Sequence, residues 1–151
     1  MFSKSSLWAL IALATLAFIA SATHGAGGAA VREVGNFAVH YNAIAASELD
    51  ADLATRHELP RSSDRCVVTV AVVNRETGMT VDAAVMGSVT RPDGRMHRLE
   101  MREVRDDGDV YYISALPLES AATRLEFQLE VRPGSSLAPQ TIRFSRAFPR
   151  R

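Results

Sequence analysis

Cys66-Val-Val-Thr-Val-Ala-Val-Val73 is the stretch of this chain that decides its fold. It carries no charge, and six of its eight residues are β-branched. In an extended strand successive side chains point to opposite faces, and here both sets are apolar. The stretch therefore reads as a central strand covered on two sides rather than as an edge.

Working outward, the flanking segments carry the same signature. Upstream, Phe37, Val39 and Tyr41 alternate with Ala38, His40 and Asn42, a period of two that puts the first set on a core and turns His40 and Asn42 away from it. Between these strands, Ser47 to His57 breaks the period. Leu49, Leu53 and Ala54 fall at helical spacing, Asp50 is placed to cap a short turn starting at Ala51, and Pro60 closes it.

Downstream, Arg75 to Gly78 is a turn, and Val81, Ala83, Val85, Gly87 and Val89 share one face of a strand. Pro92-Asp93-Gly94 then closes a hairpin onto one strand from Met96 to Arg105, and Asp106 to Asp109 turns again. Val110 to Leu116 follows. Leu125, Phe127, Leu129 and Val131 alternate with Glu126, Gln128, Glu130 and Arg132, and Ile142 and Phe144 mark the last strand. About seven or eight strands with Gly and Pro turns and one short helical turn predict an all-β fold. An immunoglobulin-like antiparallel β-sandwich fits this pattern, with a small closed barrel as the alternative, because alternation does not decide closure.

The chain has 151 residues, 47% of them hydrophobic, which suits one domain with one core. Seventeen basic residues balance seventeen acidic ones. That removes the electrostatic footprint of a nucleic-acid binder and of a polybasic membrane patch. Cys66 is the only cysteine, so no internal disulfide, zinc ribbon or iron–sulfur site can form within the chain.

Met1 to Ser6 carries Lys4, and Leu7 to Ala20 is an uncharged run followed by small residues. This is the layout of a secretory signal peptide over residues 1–22, with cleavage expected after Ala22. The run falls short of the roughly 20 apolar residues that span a bilayer, so no stable membrane insertion is expected after cleavage. Thr23 to Ala30 reads as a flexible, Gly-rich leader, and residues 31–151 as the β-sandwich domain. A periplasmic or secreted protein is the expectation.

The chain contains no Gly-x-Ser-x-Gly elbow, phosphate loop, His-Glu-x-x-His helix or EF-hand loop. Cys66 follows Arg65, but its apolar neighbours make it a small buried hydrophobe rather than a nucleophile. His40, His57 and His97 have no ligand spacing, so neither a metal nor another cofactor is expected. Leu59 to Arg65 (LPRSSDR) is a loop from which a guanidinium fork could hold a carboxylate or phosphate, although Ser62 and Asp64 equally suit a turn. Tyr111 and Tyr112 lie on opposite faces of their strand: one ring belongs to the core, the other is exposed or under a loop.

With Phe37-Ala-Val-His40-Tyr41-Asn42-Ala43 and Arg61-Ser62 in view, the chain resembles the bacterial family called domain of unknown function 4426 over roughly Val31 to Phe148. Gly87, Arg102-Glu103-Val104, Tyr111-Tyr112-Ile113-Ser114, Leu125-Glu-Phe127 and Val131-Arg-Pro133 extend the match. The resemblance implies an exported, envelope-located β-sandwich with no assigned activity, and it supplies no catalytic residue. It also implies a polar signature of His40, Tyr41, Asn42, Arg61 and Ser62, which form the candidate binding cluster. The chain departs from the pattern at His57-Glu58, where the family often has Tyr-Gly, and at Thr69, where it has Asn.

Two expectations follow. In the first, the domain is a non-catalytic interaction or accessory module that docks an envelope protein partner through a sheet face or edge strand. In the second, it binds a small anionic ligand or acts as an enzyme, Arg61 holding the anion and His40 moving a proton. The second requires His40, Asn42, Arg61 and Ser62 to converge.

Overall fold

The computed structural model describes residues 29–119, 123–134 and 138–148. The proposed signal segment, residues 1–22, and leader residues 23–28 lie outside them. Nine strands are described: β1 (Ala30–Val34), β2 (Phe37–Ala45), β3 (Arg65–Asn74), β4 (Ala83–Thr90), β5 (Met96–Leu99), β6 (Arg102–Asp106), β7 (Asp109–Pro117), β8 (Thr123–Pro133) and β9 (Gln140–Phe148). A 3-10 turn, η1 (Ala46–Glu48), and a short helix, α1 (Ala51–Arg56), separate β2 from β3.

The strands form two antiparallel sheets, ordered β1-β2-β3-β7-β6 and β5-β4-β8-β9. They pack as an all-β sandwich, not as a closed barrel. Val68, Val70 and Val72 of β3 meet Leu125, Phe127, Leu129 and Ile142 of the second sheet in a core where each is at most 2% exposed. Gly87 of β4 leaves room for this packing: a Cβ there would stand 2.9 Å from Leu99 Cδ1 and 3.0 Å from Leu129 Cδ2.

β3 is buried on both faces from Cys66 to Val72 except at the half-buried Thr69, as its composition requires. The cover on its outer side is the β2–β3 excursion, where Ala46, Leu49, Leu53 and Ala54 bury against Val67, Ala71, Tyr111 and Ile113. Asp50 starts α1 by accepting the N–H groups of Asp52 and Leu53 through Oδ1, each at 3.0 Å. The helix stops before Pro60 is reached. Glu58 takes a left-handed conformation (φ 54°), and Leu59 N–H returns to the Ala54 carbonyl at 2.8 Å.

Two segments differ from the sequence reading. Ala30–Val34, read as the end of the leader and an unassigned start, is a strand. It is an edge strand with mostly exposed side chains, held by its ladder to β2, so no apolar alternation marks it. Met96–Arg105, read as one strand, is two. Met96–Leu99 pairs with β4 and Arg102–Asp106 with β7, so the chain changes sheets at Glu100 and Met101. Among the described residues the count is accordingly nine, against the seven or eight expected.

Candidate functional site

β2 carries three of the five candidate residues and divides them between its faces. His40 and Asn42 lie half-buried on the outer face, His40 opposite Val31 and Ala71 in the ladder. Tyr41 points into the sandwich, its ring centroid 4.9 Å from that of Phe144. Asn42 Oδ1 accepts the N–H of Ala43 at 2.9 Å. His40 Nδ1 is buried with no hydrogen-bond partner among the described residues, and burial holds its pKa below the usual 6.5.

Arg61 is exposed and reaches the Ser47 carbonyl through Nη2 at 3.5 Å, and Ser62 is half-buried in the same loop. The structure thus brings His40 and Asn42 to one face, Arg61 and Ser62 to one loop, and Tyr41 to neither. Cys66 is fully buried, and burial pushes its thiol up to about 12 against the weaker opposing charge of Arg146. Tyr111 and Tyr112 are both buried: Tyr112 in the intersheet core, its hydroxyl accepting the Ala83 N–H at 2.9 Å, and Tyr111 beneath the α1 excursion.

Tyr111 anchors a polar cluster that the sequence reading did not assemble. Its hydroxyl lies 2.6 Å from His57 Nε2, and Asp106 Oδ2 lies 3.6 Å from the same nitrogen. Arg56 holds Asp106 at 3.2 Å, and Arg102 Nη2 donates to the His57 carbonyl at 2.7 Å. Burial first, and then the charge of Asp106, push the Tyr111 hydroxyl up to about 12. The tyrosine is accordingly a neutral hydrogen-bonding group, and the cluster fastens the end of α1 to β6 and β7.

A second arrangement lies where β6 stops short of β7. The β6–β7 ladder ends at Arg102 and Ile113, whereas β7 runs on to Pro117 and pairs with β3 on its other side as far as Arg65. The two-residue turn at Asp107 and Gly108, both at positive φ, makes Asp106 and Asp109 a hydrogen-bonded pair. Alternation then turns the backbone groups of Tyr111, Ile113 and Ala115, and the carbonyl of Pro117, toward the β6 side. No described strand pairs with Ala115 there.

A groove of about 650 Å³ opens along this edge, bounded outside by Glu58–Pro60 and inside by β5 and Arg91. Arg91 follows β4 on its inward face, and its side chain is 6% exposed. Nη2 donates to the Pro117 carbonyl at 3.1 Å, and Nη1 stands 3.8 Å from Glu119 Oε2. Nε and Nη1 are buried without a hydrogen-bond partner among the described residues. A buried guanidinium with two of its nitrogens lacking hydrogen bonds carries a desolvation cost that its partners meet only in part, and a carboxylate at hydrogen-bond length offsets the rest.

The fold and the groove define a class: a two-sheet antiparallel β-sandwich with one helix-covered face and one interior strand left partly unpaired. The chain belongs to the domain of unknown function (DUF4426) family, whose sequence profile matches residues 31–149. A crystal structure of a DUF4426 family protein from Pseudomonas aeruginosa PAO1 is similar at 31% identity and a TM-score of 0.68, covering 82% of this chain and 97% of that one. FetP from uropathogenic Escherichia coli strain F11, produced in the periplasm, shares the fold at 8% identity and a TM-score of 0.57, over 82% of this chain and 95% of its own. A copper-bound variant of FetP aligns at 7% identity and a TM-score of 0.56, over 81% and 95%. No curated protein matches the sequence.

Proposed function

We propose that this chain is an exported, non-catalytic interaction module of the bacterial envelope, which docks an extended segment of a protein partner along the open edge of β7. The unpaired stretch around Ala115 carries this reading. An interior strand that loses its neighbour midway presents N–H and C=O groups to a groove, where an added strand completes the ladder. The longer free edge, β9, suits docking less well because Arg146 points inward there, 6.0 Å over the Phe148 ring, and an inward charge discourages pairing.

Leu7 to Ala20 with the small residues after it supports export, and among the described residues no helix is long and apolar enough to cross a membrane. The order β2-β3-β7-β6 against β5-β4-β8-β9 parallels the A-B-E-D and C′-C-F-G sheets of immunoglobulin-like domains and supports that finer description. FetP lends the fold alone, so copper is not carried into the reading. The small-ligand or enzymatic alternative built on His40, Asn42, Arg61 and Ser62 has less support, because the hydrogen bond of Arg61 goes to Ser47 and not to His40 or Asn42.

In-cell photo-crosslinking tests the reading, with the reactive residue placed at Ala115 or, on the exposed outer side of the other sheet, at Thr141. One discrete partner captured from position 115 and not from 141 is expected. Identical products from both positions, or none from either, would overturn it.

A further inference from the structure

The groove along β7 does not end in open solvent. At one end β6 begins at Arg102, and at the other Arg91 already occupies the Pro117 carbonyl, the next rung that an added strand would use. A strand laid against Ala115 therefore has to stop beside Arg91. What meets it there is a guanidinium with two buried nitrogens lacking hydrogen bonds. Its nearest counter-charge, Glu119, stands at 3.8 Å, beyond hydrogen-bond length, and is itself 59% exposed.

From this geometry we infer that the groove recognises the free C-terminal carboxylate of an extended peptide, held by Arg91 while the peptide backbone pairs with Ala115. This rests on the docking reading above and names the chemistry of its partner. A chain ending at Arg91 runs parallel to β7, because the reverse direction would bring an amino terminus against the guanidinium. Arg supplies a planar fork for a carboxylate, which a neutral amide end cannot match. Glu119 is then the internal competitor: the incoming carboxylate takes its place at hydrogen-bond length and leaves it to Arg95, whose Nη2 is already 3.6 Å away. The groove's volume of about 650 Å³ suits a few residues, not a folded domain.

The test is a pool of acetylated pentapeptides, prepared as free acids and as C-terminal amides, titrated into the isotopically labelled protein and followed by NMR. Saturable shifts at the Ala115 amide and the Arg91 Nε–H with the acid pool are expected. Amidation or Arg91→Gln should weaken binding by ~10-fold or more, and Glu119→Gln should tighten it. Unperturbed shifts elsewhere in the Arg91→Gln spectrum establish that the variant is folded, and Glu119→Gln tests the same site without touching the buried residue. Equal binding of acid and amide, indifferent to Arg91→Gln, overturns the carboxylate inference and leaves strand docking standing. Absence of any shift at Ala115 with either pool overturns both. Acetate alone reproducing the peptide shifts overturns the peptide assignment in favour of a small carboxylate.

Discussion

The Tyr111 hydroxyl and His57 Nε2 lie 2.6 Å apart, joining the first half of β7 to the residue that ends α1. Their rings also meet edge to face, with centroids 5.6 Å apart at 89°. The contact crosses 54 residues of sequence. It makes the helical excursion, and with it the dry outer face of β3, part of the sheet's own stability.

Tyr111→Phe keeps the ring contact and deletes the hydrogen bond, leaving a largely buried imidazole nitrogen short of a partner. A loss of about 1–2 kcal/mol in unfolding free energy is expected, together with faster hydrogen exchange across α1. Chemical denaturation and amide exchange measure the two effects. Unchanged stability and unchanged α1 protection would show that the pair does not fasten the helix.

Gly87 is held by lack of space, not by an unusual backbone. Gly87→Ala drives a methyl into Leu99 and Leu129 and should cost about 1–3 kcal/mol, offset in part by ~0.5 kcal/mol from a less mobile unfolded chain. Leu99→Val in the same background should recover most of the loss. A Gly87→Ala variant as stable as the parent, by thermal and urea unfolding, would mean that the leucines shift freely.

Cys66, with its thiol at about 12, has roughly one part in ten thousand as thiolate at pH 8. The native protein should give almost no colour with a thiol-specific disulfide reagent, and one equivalent after denaturation. Prompt labelling of the folded protein would mean the strand opens on that timescale. Cys66→Ala should be tolerated better than Cys66→Ser, which buries a hydroxyl.

His40 binds its proton less readily in the folded chain than in the unfolded one. The unfolded state therefore takes up more protons in the window below pH 6.5, and stability should fall as pH drops through that window. No charge opposes this on the adjoining strands, where Val31 and Ala71 face it, and the nearest carboxylate on that side of β1, Glu33, is engaged with Arg75 at 3.4 Å. His40→Gln should flatten the dependence. An NMR titration placing His40 at or above 6.5 in the folded protein would contradict this.

What the sequence disclosed, and what it withheld, divides along physical lines. Features written in neighbouring residues were legible: the two-faced apolar run of β3, the one-sided alternation of β8, the Asp50 cap and the Pro92-Asp93-Gly94 turn. β1 was missed because an edge strand can be held by backbone hydrogen bonds without apolar side chains. The change of sheet at Glu100 and Met101 was missed because both halves read as extended chain. The candidate cluster placed His40 and Asn42 correctly on the outward face, but a motif shared along a family does not reveal that Arg61 turns to Ser47. Arg91 carried no signal at all. Beside Pro92 it reads as a loop arginine, whereas in the fold it is buried and bonded to the Pro117 carbonyl, 26 residues on.

The helical cover over β3 also shapes how this chain can drift. Along β8, Leu125, Phe127, Leu129 and Val131 are sealed while Arg124, Glu126 and Arg132 meet solvent, so every second codon is open to change. Along β3 that freedom narrows to the half-buried Thr69: Cys66, Val67, Val68 and Val72 are each wholly enclosed, and so nearly are Val70 and Ala71. A saturation-mutagenesis map should therefore show stripes in one strand and a solid block in the other, with the block fading if the excursion from Ala46 to Arg56 is loosened.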